Sequence, residues 1–205
     1  MQCLVELRDM KTPIGDHADV DVQERNMILY FDERNMIDEE RFHFLLSYSS
    51  KERVEYDQKY KMRQDRILSI VAFLVLRVGL FELFQISDMP QLLITDWGKP
   101  YIKNYPDIHF SISHCDRGVT CAFSTQSDKV GVDIQDIVKC VYKMARYFIN
   151  DSEYDTLSKI CDKDRYFTKL WTLKELYGKY QETGICYNMR ETNIESEMML
   201  KKVER

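Results

Sequence analysis

The chain has 205 residues, with 29 lysines and arginines against 34 aspartates and glutamates, a net charge of −5. That balance gives no general electrostatic case for nucleic acid, which is held by concentrated basic charge. With 44% hydrophobic and 12% aromatic residues, the chain can fill the core of one domain or of two small lobes. Residues 1–26 carry Pro13, Gly15 and scattered charge (Asp16, Asp19, Asp21, Glu24, Arg25) and read as an extension or flexible arm. No apolar signal segment follows Met1. Met27 to Phe31 is the first expected strand, and Asp38 to Leu46 an expected helix. Lys51 to Phe84 reads as one helical run. Its first half interleaves bases (Lys51, Arg53, Lys59, Lys61, Arg63, Arg66) with acids (Glu52, Glu55, Asp57, Asp65), the pattern of a salt-bridged exposed face. Its second half, Ile67 to Phe84, is the most hydrophobic stretch; Ser69, Arg77, Gly79 and Glu82 break it, so it reads as a buried helix too interrupted to span a membrane.

Leu92 to Thr95 is a short expected strand, and Trp97-Gly98-Lys99-Pro100 a turn by its glycine and proline. Phe110 and Ile112 alternate with Ser111 and Ser113, which makes His109 to His114 a strand; Asp116-Arg117-Gly118 turns it into a returning strand from Val119 to Phe123. Neighbouring strand residues point to opposite faces, so His114 is poorly placed to activate Cys115 as a nucleophile. Between Lys129 and Gln135, Val130, Val132 and Ile134 alternate with Gly131, Asp133 and Gln135, a strand with one apolar face. Asp133 and Gln135 then share a side with Gly131, whose missing side chain is expected to leave room for a phosphate. Tyr142 to Phe148 is helical; Asn150 caps a further helix, with Glu153 three residues on; Asp164 to Gln181 is the last long helix. On it Trp171, Glu175 and Lys179 stand at i, i+4 and i+8, a slowly drifting stripe. A strand carboxylate and a helix carboxylate can converge on a hard cation such as Mg²⁺, which takes oxygen ligands together with substrate phosphates. Read alone, a Glu–Lys pair at this spacing is equally a solvated salt bridge. The six cysteines (Cys3, Cys115, Cys121, Cys140, Cys161, Cys186) form no C-x-x-C pair and no metal-ligand spacing with the four histidines, and they read as reduced thiols of a cytoplasmic protein.

Taken in order, Trp97-Gly98-Lys99-Pro100, Ser111-Ile112-Ser113-His114, Gly131-Val132-Asp133-Ile134-Gln135 and Trp171-Thr172-Leu173-Lys174-Glu175-Leu176-Tyr177-Gly178-Lys179 resemble the 4′-phosphopantetheinyl transferases of the surfactin-synthetase-activating type. The resemblance runs from about Met27 to Ile185. It implies an α/β (α+β) fold of two similar lobes in a pseudo-two-fold arrangement: an N-terminal lobe over 27–130 and a short C-terminal lobe over 131–205, with the active site at their interface. It also implies a cytoplasmic monomer, without membrane or nucleic-acid partners, that moves the phosphopantetheine arm of coenzyme A (CoA) to a serine of an apo acyl or peptidyl carrier protein and releases 3′,5′-ADP. Such carriers serve fatty acid, polyketide or non-ribosomal peptide synthesis. The implied cofactor is Mg²⁺, on Asp133, Glu175 and Gln135, the last through water because many members carry Glu there. Glu175 is also the implied general base. The implied CoA-binding residues are Lys51, Arg53, Arg66, Lys99, Ser113, His114, Lys174 and Lys179, with Arg66 on the 3′-phosphate; Trp171 either contributes or packs behind Glu175. Two alternatives stay open: a catalytically impaired CoA- or carrier-binding protein, and another Mg²⁺-dependent enzyme acting on a nucleotide diphosphate.

Overall fold

A computed structural model describes residues 2–6, 26–32, 36–125, 127, 129–183, 189–191 and 200–202. In chain order its elements are β1 (Gln2–Glu6), β2 (Asn26–Phe31), α1 (Glu39–Leu46), α2 (Lys51–Asp57), α3 (Arg63–Phe84), β3 (Leu92–Ile94), β4 (Pro100–Ile102), β5 (His109–Cys115), β6 (Gly118–Ser124), β7 (Gly131–Gln135), α4 (Tyr142–Phe148), α5 (Asp151–Lys159), α6 (Lys163–Gln181) and β8 (Leu200–Lys202). The mixture of helix and sheet is the α/β (α+β) class that the resemblance implies. The strands form two antiparallel three-stranded sheets, β2-β6-β5 and β7-β1-β8, and a separate β3-β4 hairpin.

The first sheet is closed by the two-residue turn Asp116-Arg117, with Cys115 paired to Gly118, so Gly118 opens β6 instead of ending the turn. Helix α3 lies across this sheet. Its Ile70, Val71, Leu76 and Leu80 are buried, packed into the clusters that include Val119 and Phe123 of β6. In sequence α3 reads as too interrupted to span a membrane, but by length and composition alone it is apolar enough to do so; packing against the sheet accounts for its apolar residues. Each fully buried Leu or Ile of this kind contributes about 1.5–3 kcal/mol.

Three other expectations are corrected. Lys51 to Phe84 is two helices, not one. Residues nine apart on a continuous helix lie half a turn out of phase and about 14 Å apart along the axis. The break after Asp57 folds it back to within 3.2 Å of Arg66, and that pair needs the break. Residues 1–26 are not wholly an extension or arm, because β1 pairs with β7 (Leu4 opposite Asp133) and with β8 (Leu4 opposite Lys202). β1 satisfies the ladder groups of the edge of β7; Cys3-Leu4-Val5 is too short an apolar run to announce this locally. Residues 7–25 of that segment lie outside the described residues.

Gly131 is the third correction. A Cβ there would come within 2.6 Å of the Leu176 carbonyl oxygen and 2.8 Å of the Tyr180 Cβ. The missing side chain admits α6, not a phosphate. This close approach sets β7 and α6 side by side and so brings their polar residues together.

Candidate active site at the contact of β5, β7 and α6

The two sheets meet along β5 and β7 through serine hydroxyls. Ser111 Oγ accepts from the Val132 N–H at 3.1 Å, and Ser113 Oγ accepts from the Ile134 N–H at 3.4 Å. The Ser113 hydroxyl also donates to Asp133 Oδ1 at 2.7 Å. Buried on β7, Asp133 faces α6, where Lys179 Nζ meets the same Oδ1 at 2.7 Å. Glu175 stands one turn earlier on the same helix and is half-buried. Removal from water raises its pKa most, the Asp133 carboxylate raises it further, and Lys179 opposes both. No hydrogen-bond donor reaches Glu175 among the described residues, so two neighbouring carboxylates share one ammonium. Gln135 ends β7, half-buried, on the same side as Asp133.

A cleft of ≈ 400 Å³ opens in front of Glu175 and Lys179, lined also by Trp97, Lys99, Ser111 and Gly178 among others. The Thr95-to-Lys99 turn forms its rim, with Gly98 at φ 85°, a left-handed conformation that glycine adopts without steric cost. Lys99 reaches back from the rim to Glu182 Oε1 at 2.8 Å and to the Val130 carbonyl at 3.1 Å. Burial lowers the pKa of the His114 imidazole on β5; Lys179 lowers it further, while Asp65 and Asp133 oppose.

The structure thus brings Asp133, Glu175, Lys179, Ser113 and His114 together, with Lys99 on the rim. It does not bring in two of the expected phosphate ligands. Lys174 is 1% exposed; its ammonium lies 2.9 Å from Glu153 Oε2 and 2.7 Å from the Met189 carbonyl, so it ties α6 to α5. Neighbouring positions on a helix point about 100° apart, so Lys174 turns inward when Glu175 faces the cleft. The Arg53 guanidinium is likewise turned inward, bonded to the carbonyl and hydroxyl of Ser69 and stacked near Tyr56 and Phe73. Lys51 stands exposed at the start of α2, without an ion-pair partner among the described residues. Half-buried Arg66 pairs with Asp57. Trp171 packs edge-on against Phe148, 4.9 Å between centroids, and supports α6 from behind. Cys115 is buried and its thiol pKa is pushed up, which removes it as a nucleophile. Sequence reasoning missed Glu182, Asp57 and Asp65. The mixed-charge run hid both aspartates, and nothing local marks the residue after α6 as a partner for Lys99.

Chemically, the contact of β5, β7 and α6 offers two carboxylates and an amide beside three cationic or hydrogen-bonding groups. A carboxylate without a donor, Glu175, beside a second one, Asp133, suits a hard divalent cation completed by water and phosphate oxygens, and the repulsion between the two is what such a cation would offset.

Comparison with known proteins identifies the family. Residues 129–197, which include β7 and α6, match the model of the 4′-phosphopantetheinyl transferase superfamily. The 4′-phosphopantetheinyl transferase gsp of Aneurinibacillus migulanus is 35% identical over 148 residues, 71% of this chain and 61% of that protein. The 4′-phosphopantetheinyl transferase Sfp of Bacillus subtilis (strain 168) is 32% identical over 162 residues, 77% of this chain and 70% of that protein. The chain therefore belongs to the 4′-phosphopantetheinyl transferase superfamily, in the type its motifs resemble. It spans 61% and 70% of the length of these two curated relatives.

Proposed function

We propose that the protein transfers the 4′-phosphopantetheine arm of CoA to a serine hydroxyl of an apo acyl or peptidyl carrier protein and releases 3′,5′-ADP. The observation that carries this reading is Glu175, without a hydrogen-bond donor among the described residues and beside the Asp133 carboxylate, lining a cleft with Lys179 in a chain of this superfamily. Mg²⁺ would be held by Asp133 and Glu175, with Gln135 acting through water; when bound it supplies charge neutralisation on the pyrophosphate. The chain's own residues do the rest. Lys179 and His114 hold phosphate oxygens, and Lys99 fixes the rim over them. Ser113 acts one step back, fixing the Asp133 carboxylate with a hydroxyl donor on one side and the β7 backbone on the other. Glu175, its pKa raised by burial and by Asp133, takes the proton from the carrier's serine as the serine oxygen bonds to the β-phosphorus and the bond to the ADP oxygen breaks. We place the site between two lobes, 27–130 and 131–205, in a cytoplasmic monomer. Intact-mass analysis of a panel of apo carriers incubated with CoA and Mg²⁺ tests the reading. Gain of one phosphopantetheine arm, lost in EDTA, supports it; an unchanged carrier mass across the panel overturns it.

A further inference from the structure

The fully buried Asp57 has no place in the reaction just described. Its Oδ2 accepts from Arg66 Nε at 3.2 Å, and its Oδ1 is buried without a hydrogen-bond partner among the described residues. The bond uses only the inner edge of the guanidinium. Both terminal nitrogens of Arg66 have no hydrogen-bond partner among the described residues, and the Arg66 side chain remains 32% exposed. The flat group is also held 5.4 Å over the ring of Phe42. Near Asp57, the hydroxyl and the carbonyl of Ser69 are gripped by Arg53, whose positive charge bears on the Asp57 carboxylate. A guanidinium fixed by its Nε and one face presents its two outer N–H groups as a fork, which matches a phosphate.

We infer that Asp57 is a positioning residue: it locks Arg66 by Nε so that the outer nitrogens present a preformed fork to the 3′-phosphate of CoA, with the positive charge of Arg53 bearing on Asp57 from the protein side. This rests on the reading that the chain binds CoA. It explains why Arg53, a residue of the right charge near the right place, points inward. It also explains why α2 and α3 are broken where they are, since only the break lets Asp57 reach Arg66.

The test is calorimetric binding of CoA and 3′-dephospho-CoA, which needs no carrier. In the wild-type protein CoA should bind more tightly. Arg66→Ala should weaken CoA by about tenfold to a hundredfold and leave 3′-dephospho-CoA almost unmoved. Asp57→Asn keeps the shape and weakens the lock; it should weaken CoA by roughly threefold to tenfold, again without moving 3′-dephospho-CoA, and should add nothing in the Arg66→Ala background. Arg66→Lys keeps the charge but has no fork, and should discriminate as poorly as Arg66→Ala. A merely structural Asp57 would change the melting temperature and both ligands alike. If Arg66→Ala loses the discrimination while Asp57→Asn and Arg66→Lys keep it, Asp57 does not position Arg66. If Arg66→Ala itself discriminates as the wild type does, the assignment of Arg66 to the 3′-phosphate fails first.

Discussion

Lys174→Met separates a phosphate ligand from a structural strut. The Lys174 ammonium is 1% exposed and bonded to Glu153 Oε2 at 2.9 Å and to the Met189 carbonyl at 2.7 Å. Glu153 also closes the capping box of α5, accepting from the Asn150 N–H at 2.7 Å. Methionine fills the volume but leaves a buried carboxylate without its cation, a change that costs about 3–5 kcal/mol. At about 2–4 °C per kcal/mol for a chain of this size, the melting temperature should fall by roughly 6–20 °C. Adding Glu153→Gln removes the stranded charge while an amide oxygen can still accept at the cap, so the double variant should regain part of the loss. Thermal unfolding measures the stability, and CoA calorimetry well below the lowered midpoint measures the site. The dissociation constant for CoA should be close to wild type. An unchanged melting temperature with strongly weakened CoA binding would refute the reasoning and return Lys174 to the cleft.

Three further outcomes follow from the site. Glu175 has a raised folded-state pKa, so wild-type stability in EDTA should fall as pH rises from the ordinary carboxylate range through that raised value. Glu175→Gln should flatten this dependence and melt higher at neutral pH, yet stay slow in transfer at saturating Mg²⁺, whereas Asp133→Asn should recover partly as Mg²⁺ is raised; equal rescue of both would remove Glu175 as the base. Gly131→Ala places a methyl 2.6 Å from the Leu176 carbonyl oxygen and should cost about 1–3 kcal/mol in urea unfolding, with a loss of transfer rate as α6 moves off β7; an unaffected variant would contradict the tight contact. His114 has a lowered pKa in the free protein, and a bound phosphate raises it, so CoA binding near neutral pH should take up a proton. Calorimetry in buffers of different ionisation enthalpy should detect that uptake in wild type and not in His114→Asn.

Much of this site was legible before the fold was known, for physical reasons. The period-two alternation of Val130, Val132 and Ile134 places Asp133 and Gln135 on one face whatever surrounds them, and a four-residue helical spacing puts Glu175 and Lys179 on one side. Asn150 and Glu153 announce their helix because a capping box is local chemistry. What failed was direction and distance. A resemblance carries over residue type and position but not whether a lysine or arginine points to solvent, to substrate or into the core, so it named Lys174 and Arg53 as phosphate ligands. The break between α2 and α3 lacks glycine and proline, and its reason, the Asp57–Arg66 pair, is a tertiary contact. β1 is visible only in its pairing with β7.

The most direct test of the central claim is the stoichiometry of transfer. Mixed with Mg²⁺, CoA and an apo carrier that it recognises, the protein should release one 3′,5′-ADP for each phosphopantetheine arm that the carrier gains, quantified by chromatography and intact mass in one reaction. A carrier whose acceptor serine is alanine should give neither product. Nucleotide release that continues without carrier labelling, or labelling that persists on the alanine carrier, would contradict the account.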